Sequence, residues 1–89
     1  MAKVTFYDFW APWCGPCKIM TPIVKEVEAE LKGQDIEFKE VNVDENSALA
    51  AKYGVMSIPT YVVEKDGQEV GRKIGYTAKQ EMVKLLGVA

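Results

Sequence analysis

Seven consecutive residues near the start of the chain, Val4 to Trp10, are almost all apolar and rich in β-branched and aromatic side chains. An apolar run of this length predicts a strand that is buried on both faces, as in a parallel sheet. Pro12 ends the strand. From Pro16 onward, apolar residues recur at helical spacing and predict the buried face of a helix, namely Ile19, Met20, Ile23, Val24, Val27 and Leu31. Because such a strand needs helices on both sides of its sheet, this segment predicts a layered α/β fold.

The rest of the chain continues the alternation of strands and helices. Gly33 stops the first helix, and Pro22 inside it predicts a kink because proline has no N–H for the Lys18 carbonyl. The later predicted elements are a strand over Ile36–Val43, a short helix over Asn46–Tyr53 closed by Gly54, two strands over Thr60–Glu64 and Glu69–Ile74 around an Asp66-Gly67 hairpin turn, and a last helix with a Thr77/Gln80 capping box and an apolar face of Met82, Val83, Leu85 and Leu86. The order β-α-β-α-β-β-α predicts a four-stranded mixed sheet with helices on both faces.

Length and charge exclude several classes of protein. The 89 residues predict one domain over 1–89, and an apolar content of 48% suffices for one modest core. A formal net charge of −2 favours neither nucleic acid nor an anionic membrane surface as a partner. No apolar run has the length of a membrane span, and the N-terminus does not match a signal peptide, so the reducing cytoplasm is the expected compartment. We also expect a monomer.

The only two cysteines, Cys14 and Cys17, are separated by Gly15 and Pro16. A structural zinc site needs four Cys or His ligands, which a chain without His cannot supply alone; a cluster shared between two chains is the alternative. A structural disulfide over so short a loop stabilises little in the chain-entropy model. Gly-Pro indicates a helix start, which disfavours a buried inert pair. The pair is best interpreted as a redox-active dithiol, with no metal or cofactor expected.

The position of the two cysteines predicts different roles for them. Cys14 precedes the helix, where unpaired backbone N–H groups and the positive end of the helix dipole favour a nucleophilic thiolate. Cys17, one turn into the helix, is predicted to be the more buried thiol, which resolves a mixed disulfide.

Two acids have alternative interpretations. Asp8, in an apolar strand, is either a hydrogen-bonded or surface-facing structural acid, or a buried acid with a raised pKa that takes the Cys17 proton. Glu40 is either a second acid near Asp8, which would raise the pKa of one of the pair, or a solvated edge residue.

The segment Asp8–Lys18, DFWAPWCGPCK, resembles the active-site segment of the thioredoxin family. Further stretches that resemble the family are Pro22, Asn42-Val43-Asp44, Lys52-Tyr53-Gly54-Val55, Ile58-Pro59-Thr60 and Gly75. The resemblance implies a thioredoxin-like fold and a thiol-disulfide oxidoreductase that reduces protein disulfides. It also implies a separate reductase, either nicotinamide/flavin-dependent or ferredoxin-linked, that recharges the cysteine pair, and it favours the buried-acid interpretation of Asp8.

The resemblance implies a set of residues around the cysteines. Gly15, Lys18, Trp13, Pro16 and Pro59 would support the active site, with a cis Ile58–Pro59 bond against the sulfurs. A flat apolar docking surface would consist of Trp13, Met56, Ser57, Ile58, Ile74, Gly75 and Tyr76. Ordinary core packing is the alternative for the methionine and the aromatic residues, and Trp10 is assigned to packing beneath the site.

The chain departs from the family pattern in two places. The family normally has another strand and helix before the active-site strand, whereas only ten residues precede Ala11 here. The strand at Ile36–Val43 would then lie at a sheet edge, where Glu37, Lys39 and Glu40 could discourage edge pairing. Many bacterial relatives also have a lysine where this chain has Glu40. The sequence leaves two other functions open, a thiol oxidant or isomerase and a non-catalytic binding module.

Overall fold

The structure is a computed structural model that describes residues 3–87. Its elements follow the predicted order: β1 (Val4–Trp10), α1 (Gly15–Glu30), β2 (Ile36–Asn42), α2 (Ser47–Lys52), β3 (Thr60–Lys65), β4 (Gln68–Ile74) and α3 (Lys79–Gly87). The four strands form one sheet in the order β2-β1-β3-β4. β1 pairs in parallel with β2, whereas β3 is antiparallel to both β1 and β4, so the predicted mixed sheet is confirmed.

The turn between β3 and β4 has the geometry that its sequence predicts. Asp66 and Gly67 both have positive φ, 54° and 82°. Two successive positive φ values are what a two-residue hairpin turn of the primed type requires, and Asp-Gly adopts them at low cost.

β1 is buried on both faces, as its apolar run predicts. Val4 and Phe6 contribute to a core on one face, and Tyr7 and Phe9 to a core on the other. The first core is completed by α1 and α3 through Met20, Val24, Val27, Met82 and Leu86, together with Tyr61 and Val63 of β3. The second is completed by Val41, Val62 and the partly buried residues of and after α2, namely Leu49, Ala50, Tyr53 and Val55. Asp8 lies on the α1 face, since side chains two residues apart on a strand share a face.

The first helix differs from its predicted apolar face at one position. Cys17, Met20, Val24 and Val27 are buried at the three- and four-residue spacing of a helix stripe. Ile19, assigned to the same face, is instead 61% exposed, because it lies one residue, or about 100°, away from that stripe. The helix continues through Pro22 from Gly15 to Glu30, and the kink stays a prediction.

The predicted capping box at the last helix is wrong. α3 begins at Lys79, and its first backbone hydrogen bond runs from the N–H of Met82 to the carbonyl of Ala78. Ala78 therefore occupies the cap position, one residue later than predicted. The Thr77 hydroxyl donates to the Gly75 carbonyl at 3.1 Å, so it stabilises the turn before the helix.

Within residues 3–87, β2 forms an edge of the sheet, as predicted for the Ile36–Val43 strand. Glu37 on this strand pairs with Lys3 at 3.0 Å and with Lys39 at 3.8 Å. Its outer side therefore carries charges of both signs, and their effect on edge pairing stays a prediction.

Met82→Ala should destabilise the fold by about 2–5 kcal/mol, because Met82 is fully buried and joins α3 to the sheet. The measurement is urea unfolding followed by circular dichroism. Val70→Ala is the control, since Val70 is 51% exposed and its truncation should cost about 0.5 kcal/mol or less. Equal losses in the two variants would contradict the assignment of Met82 to the core.

Candidate active site

Cys14 lies at the junction of the central strand and the first helix. A turn follows β1, closed by a hydrogen bond from the Cys14 N–H to the Ala11 carbonyl at 3.1 Å. Cys14 is the N-cap of α1, and its Sγ accepts a hydrogen bond from the backbone N–H of Cys17 at 3.2 Å. Pro16 lies in the first turn of α1, where backbone N–H groups have no partner within the helix, so a residue without an N–H fits there. The Cys14 sulfur thus lies at the positive end of the helix dipole.

Cys14 and Cys17 form a disulfide, with their Cα atoms 5.2 Å apart. In this oxidised state the two residues are almost equally buried, so the expectation that Cys17 is the more buried thiol stays a prediction for the reduced protein. Cys14 is 4% exposed and Cys17 is 6% exposed, because Trp10, Ala11 and Ile58 pack around the pair. This packing agrees with the assignment of Trp10 beneath the site. The difference between the two sulfurs is therefore their place on the helix, not their exposure.

Large apolar side chains beside the disulfide are exposed, which contradicts the ordinary-core alternative for them. Trp13 is 68% exposed, Met56 94%, Ile74 61% and Tyr76 65%. A groove of about 390 Å³ brings together four of the predicted docking residues, Trp13, Met56, Ser57 and Ile58. Exposed apolar side chains of this kind characterise surfaces that meet another protein.

The other docking residues join this groove through the Ile58–Pro59 bond. That bond is cis, as the resemblance implied, and Pro59 itself is buried. The Pro59 carbonyl accepts a hydrogen bond from the N–H of Gly75 at 2.8 Å. Gly75 has a φ of 81°, which a residue with a side chain rarely adopts. It connects Ile74 and Tyr76 to the loop that carries Pro59. Gly15 and Lys18 are exposed on the first turns of α1.

Asp44 belongs to the site and was not predicted. Its Oδ2 accepts a hydrogen bond from the Trp13 indole Nε1 at 2.9 Å. The Asp44 N–H in turn donates to the Asn42 side-chain oxygen at 2.9 Å, which orients the loop after β2. The pair fixes an exposed indole beside the disulfide. The sequence shows Asp44 as an acid after Asn42 and Val43, but Trp13 is 31 residues away in the chain and only the fold brings the two together.

Asp8 has the environment of a buried acid. Burial, and to a smaller extent the negative charge of Glu40, raise the pKa of Asp8 to about 7. Glu40 is its neighbour across the β1–β2 ladder, and Tyr61 is its neighbour across the β1–β3 ladder. Within residues 3–87, the Asp8 carboxyl has no hydrogen bond or ion pair. Glu40 is exposed, so both interpretations of it hold in part: it is solvated, and it also acts on Asp8.

A second cavity, which we call the Asp8 cavity, is lined by both Asp8 and Cys17. It has a volume of about 280 Å³, and its lining includes Asp8, Trp10, Cys17, Thr21, Lys25 and Glu40. The Trp10 indole Nε1 is buried without a partner in the described part of the chain. An acid whose pKa is about 7 and a cysteine share this space, which suits proton exchange between them near neutral pH.

Other kinds of site find less support in the described residues. Between Lys3 and Gly87, no group of three or more His, Cys, Asp and Glu side chains is placed to hold a metal ion. No helix there has both the length and the apolar character to cross a membrane. What the fold does present is a disulfide at a helix N-terminus, an acid behind it and an exposed apolar surface around it. These features define a protein of thiol-disulfide exchange.

Comparisons with known proteins agree with this class. The thioredoxin family profile matches residues 1–87. A thioredoxin of Bacillus subtilis is 46% identical over 83 residues, which cover 93% of this chain and 79% of that protein. A thioredoxin of Staphylococcus aureus has the same identity and coverage.

Solved structures are similar over nearly the whole chain. Mitochondrial thioredoxin 3 of Saccharomyces cerevisiae, in its oxidised form, has a TM-score of 0.89 and 33% identity, covering 98% of this chain and 79% of that one. A mutant thioredoxin of Halobacterium salinarum has a TM-score of 0.85 and 36% identity, covering 97% and 74%.

The chain therefore belongs to the thioredoxin family. It is a thiol-disulfide oxidoreductase with protein-disulfide reductase activity, and family membership implies protein disulfides as substrates and a reductase as partner.

Asp8→Asn should stabilise the oxidised protein at neutral and alkaline pH. The folded pKa of Asp8, about 7, lies above the ordinary value of 3.8, so folding favours the protonated acid. Stability present below the unfolded pKa is lost as the pH rises through the folded one. The amide avoids this loss, by roughly 1–3 kcal/mol, less than the full shift implies because the carboxyl is only partly buried.

The measurement is urea unfolding of both proteins between about pH 3 and pH 9, a range that brackets the two pKa values. The gain of the variant should vanish at the acid end, grow between the unfolded and the folded pKa, and level off above the folded one. Asp35→Asn, at an exposed acid before β2, is the control and should show no such trend. A stability difference that does not change with pH would mean that Asp8 is an ordinary structural acid.

Proposed function

We propose that Cys14 attacks a disulfide of a target protein and that Cys17 resolves the product. The observation that carries this proposal is the position of Cys14 Sγ at the N-cap of α1, directly after the exposed Trp13. Unpaired N–H groups of a helix N-terminus stabilise a thiolate in reduced protein. Cys17 lies one turn further on, where it is bonded to Cys14 and lines the Asp8 cavity.

The exchange transfers two electrons from the dithiol to the target. The Cys14 thiolate forms a bond to one target sulfur, and the other target sulfur leaves as a thiolate. Asp8, in its ionised form, takes the proton of the Cys17 thiol. The Cys17 thiolate then bonds to Cys14, the mixed disulfide breaks, and the second target thiolate leaves. The target gains two electrons and, from water, two protons, while the chain returns to its disulfide.

The exposed residues around the disulfide would hold the target during this exchange. Trp13, held by Asp44, and Met56 offer apolar area on one side, and Ile74 and Tyr76 on the other. The loop with Gly75 and the cis Ile58–Pro59 bond lies between them. We propose that Gly15, Pro16, Lys18 and Pro59 maintain the shape of this surface. An extended segment of the target on either side of its cysteine is the ligand that such a surface fits.

We also propose where the protein acts and which enzyme returns it to the reduced form. The chain acts as a single-domain monomer that carries electrons in the cytoplasm, where cysteine pairs serve catalysis more often than structure. A nicotinamide/flavin reductase or a ferredoxin-linked reductase returns the disulfide to the dithiol.

The function is tested by turnover of a protein disulfide with each candidate reductase, together with the reduction potential of the pair. A potential near that of strong dithiol reductants supports the proposal. A much more oxidising potential would identify a thiol oxidant or isomerase instead. A Cys14→Ser/Cys17→Ser double variant that keeps full function would identify a binding module.

In the reduced protein, Cys14 should be alkylated well before Cys17, because its thiolate is stabilised at the helix start. Brief treatment with iodoacetamide, followed by peptide mass mapping, measures the two rates. The unfolded protein is the control, and its two cysteines should react at similar rates. Faster labelling of Cys17 in the folded protein would reverse the assigned roles.

Cys17→Ser should trap target proteins as stable mixed disulfides on Cys14, because the thiol that releases them is gone. Non-reducing electrophoresis of the variant mixed with a purified disulfide-containing protein should show a new band that a reductant removes. Cys14→Ser is the matched control and should form much less of it. If neither variant forms the band, exchange through Cys14 is wrong.

A further inference from the structure

The docking groove and the Asp8 cavity are two separate openings near the cysteine pair. The docking groove adjoins the pair through Ile58, and Cys17 lines the Asp8 cavity. The docking groove is lined by Trp13, Met56, Ser57 and Ile58 among others, and none of its lining residues also lines the Asp8 cavity. A target disulfide-bonded to Cys14 covers the first opening at the moment when Cys17 must lose its proton. The Asp8 cavity leaves a second way out, which a bound target does not block.

Few groups on this second path can accept a proton from Asp8. Those that face Asp8 are Glu40 from β2, Tyr61 from β3, and Cys17, Thr21 and Lys25 from α1. The Lys25 ammonium carries only donors, so it cannot accept a proton. The Thr21 hydroxyl donates a hydrogen bond to the Cys17 carbonyl at 3.1 Å. Burial raises the pKa of Tyr61, so its phenol stays protonated.

Glu40 is the remaining group. It is exposed, it lines the cavity, and it neighbours Asp8 across paired strands whose spacing is about 4.8 Å. A cavity of this volume with polar walls also has room for water that could link the two carboxyls.

We propose that Glu40 is a proton-relay residue, which accepts from Asp8 the proton lost by Cys17 and releases it to solvent through the Asp8 cavity. The thiol S–H bond breaks and the proton passes to the Asp8 carboxylate, then to the Glu40 carboxylate, then to water. These steps involve no oxidation or reduction, and both carboxyls return to their ionised forms. The negative charge of Glu40 serves the relay a second way, since it holds Asp8 ready to keep a proton near neutral pH.

The inference rests on the proposed roles of Cys17 and Asp8, and the experiment separates the two levels. Reduced protein is mixed rapidly with an excess of a protein disulfide, the exchange is quenched with acid, and the decay of the mixed disulfide is followed by mass spectrometry. This decay is the Cys17 step. If Asp8→Asn decays at the wild-type rate, the role of Asp8 fails; if Asp8→Asn is slow but Glu40→Gln is not, only the relay fails.

Glu40→Gln should slow the decay by about three- to tenfold at about pH 8, less than the loss of a group that acts directly on the thiol. Asp8 is mostly ionised in both proteins at that pH, so the difference reports the relay. Formate in the buffer should restore part of the rate, and Glu40→Asp should stay close to wild type. The pH midpoint of the decay should also fall in Glu40→Gln, by about half to one unit, because a nearby negative charge is gone.

The matched control is Glu45→Gln, at an exposed acid after β2 that does not line the cavity. It loses the same charge from the chain and should leave rate and midpoint unchanged. A Glu40→Gln rate that equals wild type, or one that formate leaves unchanged, overturns the relay. A loss in Glu40→Asp as large as that in Glu40→Gln would also overturn it, because a carboxyl would then be insufficient.

Discussion

The site depends on one junction, at which the central strand β1 ends and α1 begins. β1 is buried on both faces and fixed between β2 and β3, so its end is a rigid position in the fold. A turn of a few residues then places Cys14 at the helix N-cap, where backbone N–H groups lack partners within the helix. Both cysteines belong to this junction and form a small cluster apart from the two cores.

The same strand carries the acid behind the sulfurs. Asp8 stands among apolar neighbours on the α1 face of β1, where burial opposes its charge and raises its pKa to about 7. An apolar residue there would serve the fold better, since a partly buried carboxylate without a partner lowers stability. Its place beside Cys17 in one cavity is a reason for the chain to keep it. Glu40, on the neighbouring strand, lowers the stability further because its negative charge repels that of Asp8.

Sequence patterns were sufficient for the fold because they are local. The apolar run of β1, the helical spacing of α1 and the Asp66-Gly67 turn each depend on neighbours in the chain, and each was predicted correctly. The errors occur where a residue has two possible local partners or lies at the margin of a pattern. Thr77 is a residue type that often caps helices, but its hydroxyl donates to the carbonyl of the preceding Gly75. Ile19 lies one position outside the buried stripe of α1.

The missed features of the site join distant parts of the chain. The Trp13–Asp44 hydrogen bond and the Asp8 cavity need the β1–β2 register, which pairs Asp8 with Glu40 and Trp10 with Asn42. A shift by one residue would turn Glu40 to the opposite face of the sheet and remove it from Asp8. The same register brings Asp44, two residues past Asn42, to the side of Trp13. One parallel strand pair thus places an acid beside each of these spaces, Asp44 next to the docking groove through Trp13 and Glu40 in the Asp8 cavity.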